Sequence, residues 1–178
     1  MFDHEIGPDH EREDAILKTS KEHHYHVRLV WTGGGAEKAS NFRHHDRSYE
    51  ISAPGKPSIA GSSDPIFRGD AGRWNPEDLL VASLSACHQL WYLGLCAAAG
   101  IVVLAYEDEA DGTMVEEAAG GAGQFVRVTL RPHVTLALGS DREKALALHH
   151  TAHEKCFVAR SVNFPVDLDC VIEVAPGM

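Results

Sequence analysis

The chain of 178 residues is 44% hydrophobic and 24% charged, enough apolar material for one well-buried core and not for two. Its 16 Lys and Arg stand against 26 Asp and Glu, a formal net charge of −10, which argues against nonspecific binding to nucleic-acid backbones or anionic lipid. Four cysteines, Cys87, Cys96, Cys156 and Cys170, are too few for a disulfide scaffold and point instead to free, catalytic or metal-binding thiols in a reducing compartment.

Residues 1–20 are polar, acidic and aperiodic, so they predict an N-terminal extension ahead of a single domain over residues 21–178. With neither a basic start nor an apolar stretch, this segment does not read as a secretory signal, and the expected location is the cytoplasm. Tyr25 to Thr32 alternates as a strand, Gly33, Gly34 and Gly35 punctuate it, and Arg47 to Ser52 offers a second short strand. Residues 53–74, rich in Gly, Pro, Ser and Asp, read as loop.

A helix start is strongly signalled at Asn75: the amide suits the N-cap, Pro76 the first position, and Glu77 with Asp78 place negative charge against the positive end of the dipole. The helix extends to about Ala99 and is apolar on nearly every side, which predicts burial all round, within the fold or against a partner subunit. From Leu79 to Tyr106 there is no charged residue. Polar Ser83, Ser85, His88 and Gln89 inside this stretch, and the β-branched run Ile101 to Val103 after Gly100, predict a buried helix turning into a strand rather than a membrane span.

Two long strand-like stretches follow, Ile101 to Glu117 and Gln124 to Leu138, the second with Phe125, Arg127, Thr129 and Arg131 alternating against Val126, Val128 and Leu130. Gly120, Gly121 and Gly123 supply the turn. Ser140 with Glu143 has the pattern of a capping box opening a second helix to about Lys155, and Val166 to Val174 closes the chain as a strand. The order of strands, long helix, hairpin, helix and strand predicts an α+β fold without repeats.

A cysteine on an apolar helix is, taken alone, a small hydrophobe. The run DPIFRGDAGRWNPEDLLVASLSACHQLWY, from Asp64 to Tyr92, together with HEKCFVARSV from His153 to Val162, resembles the OsmC/Ohr family of organic hydroperoxide reductases and their stress-induced relatives. The resemblance spans roughly Tyr25 to Val174 and implies an OsmC-like α+β fold of antiparallel sheets around a long buried helix, assembled as an intertwined homodimer. It implies a thiol peroxidase without cofactor, acting on organic hydroperoxides and reset by an external dithiol of lipoyl type. Cys87 matches the family's attacking cysteine, Cys156 the resolving one and Glu77 the helix-start glutamate. Arg68 matches the arginine upstream of that motif, with Arg43 and Arg47 as alternatives from an earlier loop.

Elementary chemistry asks for the same parts. Thiolate attacks a peroxide, and burial among Leu84, Leu90 and Trp91 disfavours a thiolate, so a guanidinium beside Cys87 and a carboxylate to orient it are the economical answer. Phe67, Trp74, Trp91, Phe157 and Phe164 are candidates for an apolar pocket, and Cys96 and Cys170 read as structural. His88 stands where well-studied hydroperoxide reductases have phenylalanine, and Phe157 where many have proline; the resemblance therefore points to a less characterised branch.

Two alternatives carry no turnover. His149, His153 and Cys156 are spaced i, i+4, i+7, and Cys87 with His88 could complete a set of nitrogen and sulfur metal ligands. An interface pocket could instead bind a small apolar ligand.

Overall fold

The computed structural model describes residues 21–34, 45–117 and 122–177. The expected extension over residues 1–20, the turn glycines Gly120 and Gly121, and Arg43 lie outside the described residues.

Three short strands, β1 (Arg28–Trp31), β2 (Tyr49–Ser52) and β3 (Ile59–Gly61), form an antiparallel sheet in that order. β3 and the 3-10 turn Pro65–Phe67 lie inside the segment expected to be loop. Three residues without alternation give no strand signal; β3 exists because it pairs with β2. Gly61 is what allows the pairing to be this close, since a Cβ there would lie 2.1 Å from the Tyr49 ring.

Helix α1 (Pro76–Ala98) starts where predicted, with the Asn75 side chain accepting a hydrogen bond from Asp78 N at 2.7 Å. Within one chain it is not buried all round. Only the stripe Leu84, His88, Tyr92 and Cys96 is buried within one chain, and Leu90 on another face is 70% exposed. Although α1 is long and apolar enough to cross a membrane, the buried stripe packs into the cores described below, as a core helix does.

The predicted hairpin is present but broken into four strands, β4 (Val103–Asp108), β5 (Asp111–Val115), β6 (Gln124–Leu130) and β7 (Pro132–Leu136). β4 pairs with β7 and β5 with β6, both antiparallel. The closing strand divides likewise into β8 (Val166–Leu168) and β9 (Val171–Val174), parallel to β6 and β7, so these two sheets are mixed and not antiparallel as expected. The breaks at Glu109, Arg131 and Asp169 fall side by side, so one three-stranded ribbon becomes the two sheets β4-β7-β9 and β5-β6-β8. Each antiparallel pair also carries an irregularity that reverses the expected alternation. Val126 has no partner between Phe125 and Arg127 and stays partly exposed, whereas Phe125 turns to the core.

Helix α2 (Arg142–Lys155) is capped by Asp141, which accepts from Lys144 N at 2.9 Å, one residue later than the Ser140 cap expected from the sequence. Asp141 and Ser140 are chemically equivalent caps, so only backbone geometry chooses between them. Two apolar clusters result. Tyr92 and Cys96 of α1, Ala145 and Ala152 of α2, and Val134, Leu136 and Ile172 of the β4-β7-β9 sheet form one. Leu84, Val128 and Leu130 join the first half of α1 to the other sheet, with Phe164 packed against them.

Candidate active site

Helix α2 is laid against α1 by contacts along its length. Lys144 Nζ donates to Ala99 O at 3.4 Å at the C-terminal end of α1, His149 meets His88 and Tyr92 near its middle, and Cys156, the C-cap of α2, meets Cys87. Two thiols that are remote in the sequence thus become neighbours. Both are free, Cys156 fully buried and Cys87 half-buried.

The chain turns immediately after Cys156 into a short 3-10 helix, Ala159–Ser161, and Ala159 N donates to Cys156 Sγ at 3.4 Å. Burial pushes the Cys156 thiol well above its usual value, and the neighbouring Cys87 thiol pushes the same way; the backbone N–H of Ala159 opposes them. Among the described residues, no side-chain cation is one of the groups acting on Cys156. Trp91, one turn beyond Cys87, meets Phe157 edge to face at 5.6 Å, and Lys155 Nζ lies 5.7 Å from the Trp91 ring. This arrangement can attack an electrophile with one sulfur and close a disulfide with the other.

Behind the thiols lies a buried imidazole pair. His88 Nε2 and His149 Nδ1 are 3.0 Å apart, the rings are nearly coplanar in orientation, and Tyr92 stacks on His149 at 3.7 Å. The outer nitrogens, His88 Nδ1 and His149 Nε2, have no hydrogen-bond partner among the described residues. Burial holds both pKa values far below the ordinary histidine range; His153 adds to this at His88, and His88 adds to it at His149.

A cavity of about 830 Å³ lies on a different side of α1, its wall including Glu77, Ala82, Ala86 and Gln89 together with Phe67 and Trp74. At 3.6 residues per turn, Ala82, Ala86 and Gln89 are rotated roughly 100° to 160° from Cys87. Glu77 Oε2 is buried without a hydrogen-bond partner.

The sequence profile described as OsmC-like protein matches residues 69–171, more than half of the chain and the whole course from the approach to α1 to the start of β9. The chain belongs to the OsmC-like protein family. Solved structures agree on the fold. An OsmC-like protein of unknown function from Vibrio cholerae is 27% identical with a TM-score of 0.78, over 84% of this chain and 100% of that one. An organic hydroperoxide resistance protein from Legionella pneumophila is 18% identical with a TM-score of 0.59, over 85% and 99%. The organic hydroperoxide resistance protein OhrB of Bacillus subtilis is 22% identical with a TM-score of 0.56, over 84% and 98%. No curated protein matches the chain.

Within this OsmC-like chain the expected site residues fall into separate groups. Cys87 and Cys156 come together. Arg68 is an exposed residue in the left-handed conformation (φ 65°) after the turn Pro65–Phe67, and lines a second cavity with His45, Arg47, Ile66 and Phe67. Neither cysteine is in that wall. Glu77, ten residues before Cys87 on α1, is about 15 Å away along the helix axis. Of the predicted apolar lining, Phe67 and Trp74 face the large cavity, Trp91 and Phe157 flank the thiols, and Phe164 is instead core, 5.6 Å from the Phe125 ring.

The expected metal alternative finds no support in the side-chain placement. Among the described residues no group of three or more His, Cys, Asp or Glu side chains is arranged to hold a metal ion, and His149 Nδ1 is already engaged by His88. Neither the backbone donor to Cys156 nor the direct His88–His149 bond has a signal in the sequence. The spacing of His149 with His153 is visible along α2, but a bond from His149 to His88 on α1 joins two helices and has no signature in one chain segment.

Proposed function

We propose that this OsmC-like protein is a thiol-dependent peroxidase that reduces organic hydroperoxides through Cys87 and Cys156. The proximity of the two thiols carries this reading, and the hydroperoxide resistance named for the L. pneumophila and B. subtilis proteins of the same fold supports the substrate class.

The Cys87 thiolate attacks the terminal peroxide oxygen and the O–O bond breaks, giving Cys87 sulfenic acid and, with one proton, the alcohol. Cys156 sulfur then attacks Cys87 sulfur, expelling the hydroxyl as water and leaving a disulfide. An external dithiol of lipoyl type returns both thiols by exchange and is itself oxidised to a disulfide. The cation that activates Cys87 is an arginine, with Arg68, Arg43 and Arg47 as the candidates.

The working unit in this reading is an intertwined homodimer. Its support is the apolar surface one chain leaves open: Leu90 on α1, and Tyr25, Val27, Leu29 and Trp31 in and before β1, are all at least 46% exposed. A partner helix running the other way also resolves the position of Glu77, which is too far along α1 to orient an arginine at Cys87 of its own chain. The enzyme is placed in the cytoplasm, where dithiol reductants keep the pair cycling.

One observation favours a second reading, a binding protein without turnover: the large cavity has an apolar share in its wall and does not include Cys87. Mass spectrometry after one equivalent of cumene hydroperoxide separates the two. The peroxidase forms one Cys87–Cys156 linkage and consumes the peroxide, and Cys87→Ser abolishes consumption. Unreactive thiols in the wild type, or full consumption by Cys87→Ser, overturn the peroxidase reading.

A further inference from the structure

The imidazole pair takes no part in the chemistry above, yet it lies in the same helix–helix contact as the thiols. His88 follows Cys87 on α1, and His149 stands seven residues, two turns, before Cys156 on α2. Both rings are buried, at 0% and 2% exposure. Each leaves one ring nitrogen unpartnered, and a hydrophobic pair would carry no such penalty. Stability alone therefore does not account for two histidines here.

A buried polar contact does what apolar packing does poorly: it fixes register. Apolar surfaces tolerate a slide of an ångström or more, whereas an N–H···N bond of 3.0 Å weakens steeply with displacement and misalignment. Two sulfurs closing a disulfide are equally exacting, with Cβ atoms required within about 3.5–4.5 Å. Tyr92, stacked on His149 and one turn beyond His88, limits tilting of the pair.

We propose that the His88–His149 hydrogen bond is the positioning element that holds α2 in the register at which Cys156 meets Cys87. The proposal rests on the dithiol reading above and assigns a purpose to residues which that reading leaves idle. Both histidines are positioning residues: they act on the disulfide through the placement of the helices.

The test measures the effective concentration of the cysteine pair by equilibrating the full chain with oxidised and reduced dithiothreitol and quantifying the Cys87–Cys156 disulfide by mass spectrometry. Closing it transfers two electrons from the protein thiols to oxidised dithiothreitol, so no peroxide is involved. The variant His88→Leu/His149→Leu removes the bond and keeps the space filled. His149→Asn sets an amide where Nδ1 stood and keeps it. The double leucine protein is expected to lose at least tenfold in effective concentration, and His149→Asn to stay near the wild-type value. Equal values in all three proteins overturn the proposal.

A second measurement uses the wild type alone and covers a double variant that does not fold. Coupling between two equilibria is reciprocal, so the imidazole proton shared by the pair must exchange with solvent more slowly in the disulfide form than in the dithiol form. Identical exchange in the two forms overturns the proposal. If the wild type forms no Cys87–Cys156 disulfide even in strongly oxidising buffer, the dithiol reading fails first, and that outcome is distinct from a wild type that closes normally beside variants that match it.

Discussion

Ser85 Oγ donates to Asp108 Oδ2 at 2.5 Å, fastening the middle of α1 to the point where the long hairpin breaks. The other oxygen of the same carboxylate, Asp108 Oδ1, accepts from Arg131 N at 2.7 Å on the opposite arm. Asp108 therefore holds three segments: the helix that carries Cys87, the end of β4, and the junction of β6 and β7. A backbone N–H that the bend removes from the ladder is satisfied there by a side chain.

Asp108→Ala is expected to cost about 2–3 kcal/mol, since it leaves the Arg131 N–H and the Ser85 hydroxyl without partners. Asp108→Asn keeps one oxygen for the Arg131 amide and is expected to lose about half as much. Urea unfolding followed by circular dichroism measures both. A difference from wild type below about 0.5 kcal/mol for the alanine protein would show that the bend is held by packing alone.

Acid stability should report the imidazole pair. Burial depresses both His88 and His149 from the ordinary 6.5, so below that pH the unfolded chain binds protons that the folded chain refuses. The stabilisation is complete above pH 6.5 and is lost progressively as the pH falls from there toward the folded values. Each proton taken up on unfolding is worth about 1.4 kcal/mol per pH unit. Carboxylates add their own slope, so the comparison is between wild type and His88→Leu/His149→Leu. Urea midpoints at pH 7.5 and pH 5 should diverge more in the wild type, and parallel losses would count against neutral, buried imidazoles.

The separation of Glu77 from Cys87 along one helix makes a prediction about assembly. If Glu77 of one subunit serves Cys87 of the other, mixing inactive Cys87→Ser with Glu77→Gln protein and allowing subunits to exchange yields dimers holding one intact site. Peroxide consumption should then reach roughly a quarter of the wild-type value, because about half of the dimers are mixed and each has one site of two. Mixtures no more active than their separate components would place both residues in a single-chain site.

Much of the α-helical part of the fold was written locally. Asn75, Pro76, Glu77 and Asp78 fix the start of α1 through backbone donors that exist before any packing, and Gly100, in the left-handed conformation at φ 74°, lies just past its end. The hairpin was legible as two apolar runs around glycines, but its bend was not. Pro132, which has no N–H to give the ladder, opens β7 and marks the break on one arm, but neither proline nor glycine stands at Glu109 or Asp169, and there the break follows from two sheets sharing one ribbon. β3 was missed for a related reason: three residues become a strand only when β2 offers its edge.

By itself the sequence determined the order of the two helices and the main strand stretches, the start of α1, the family and the identity of the two cysteines worth pursuing, because propensities, caps and short motifs act over a few neighbouring residues. Only the tertiary structure decided that Cys87 neighbours Cys156, that His88 bonds His149, and that Glu77 and Arg68 stand apart from the thiols within one chain. Contacts between α1 and α2 depend on how two helices rotate and slide against each other, and that freedom is removed only when the whole core packs at once.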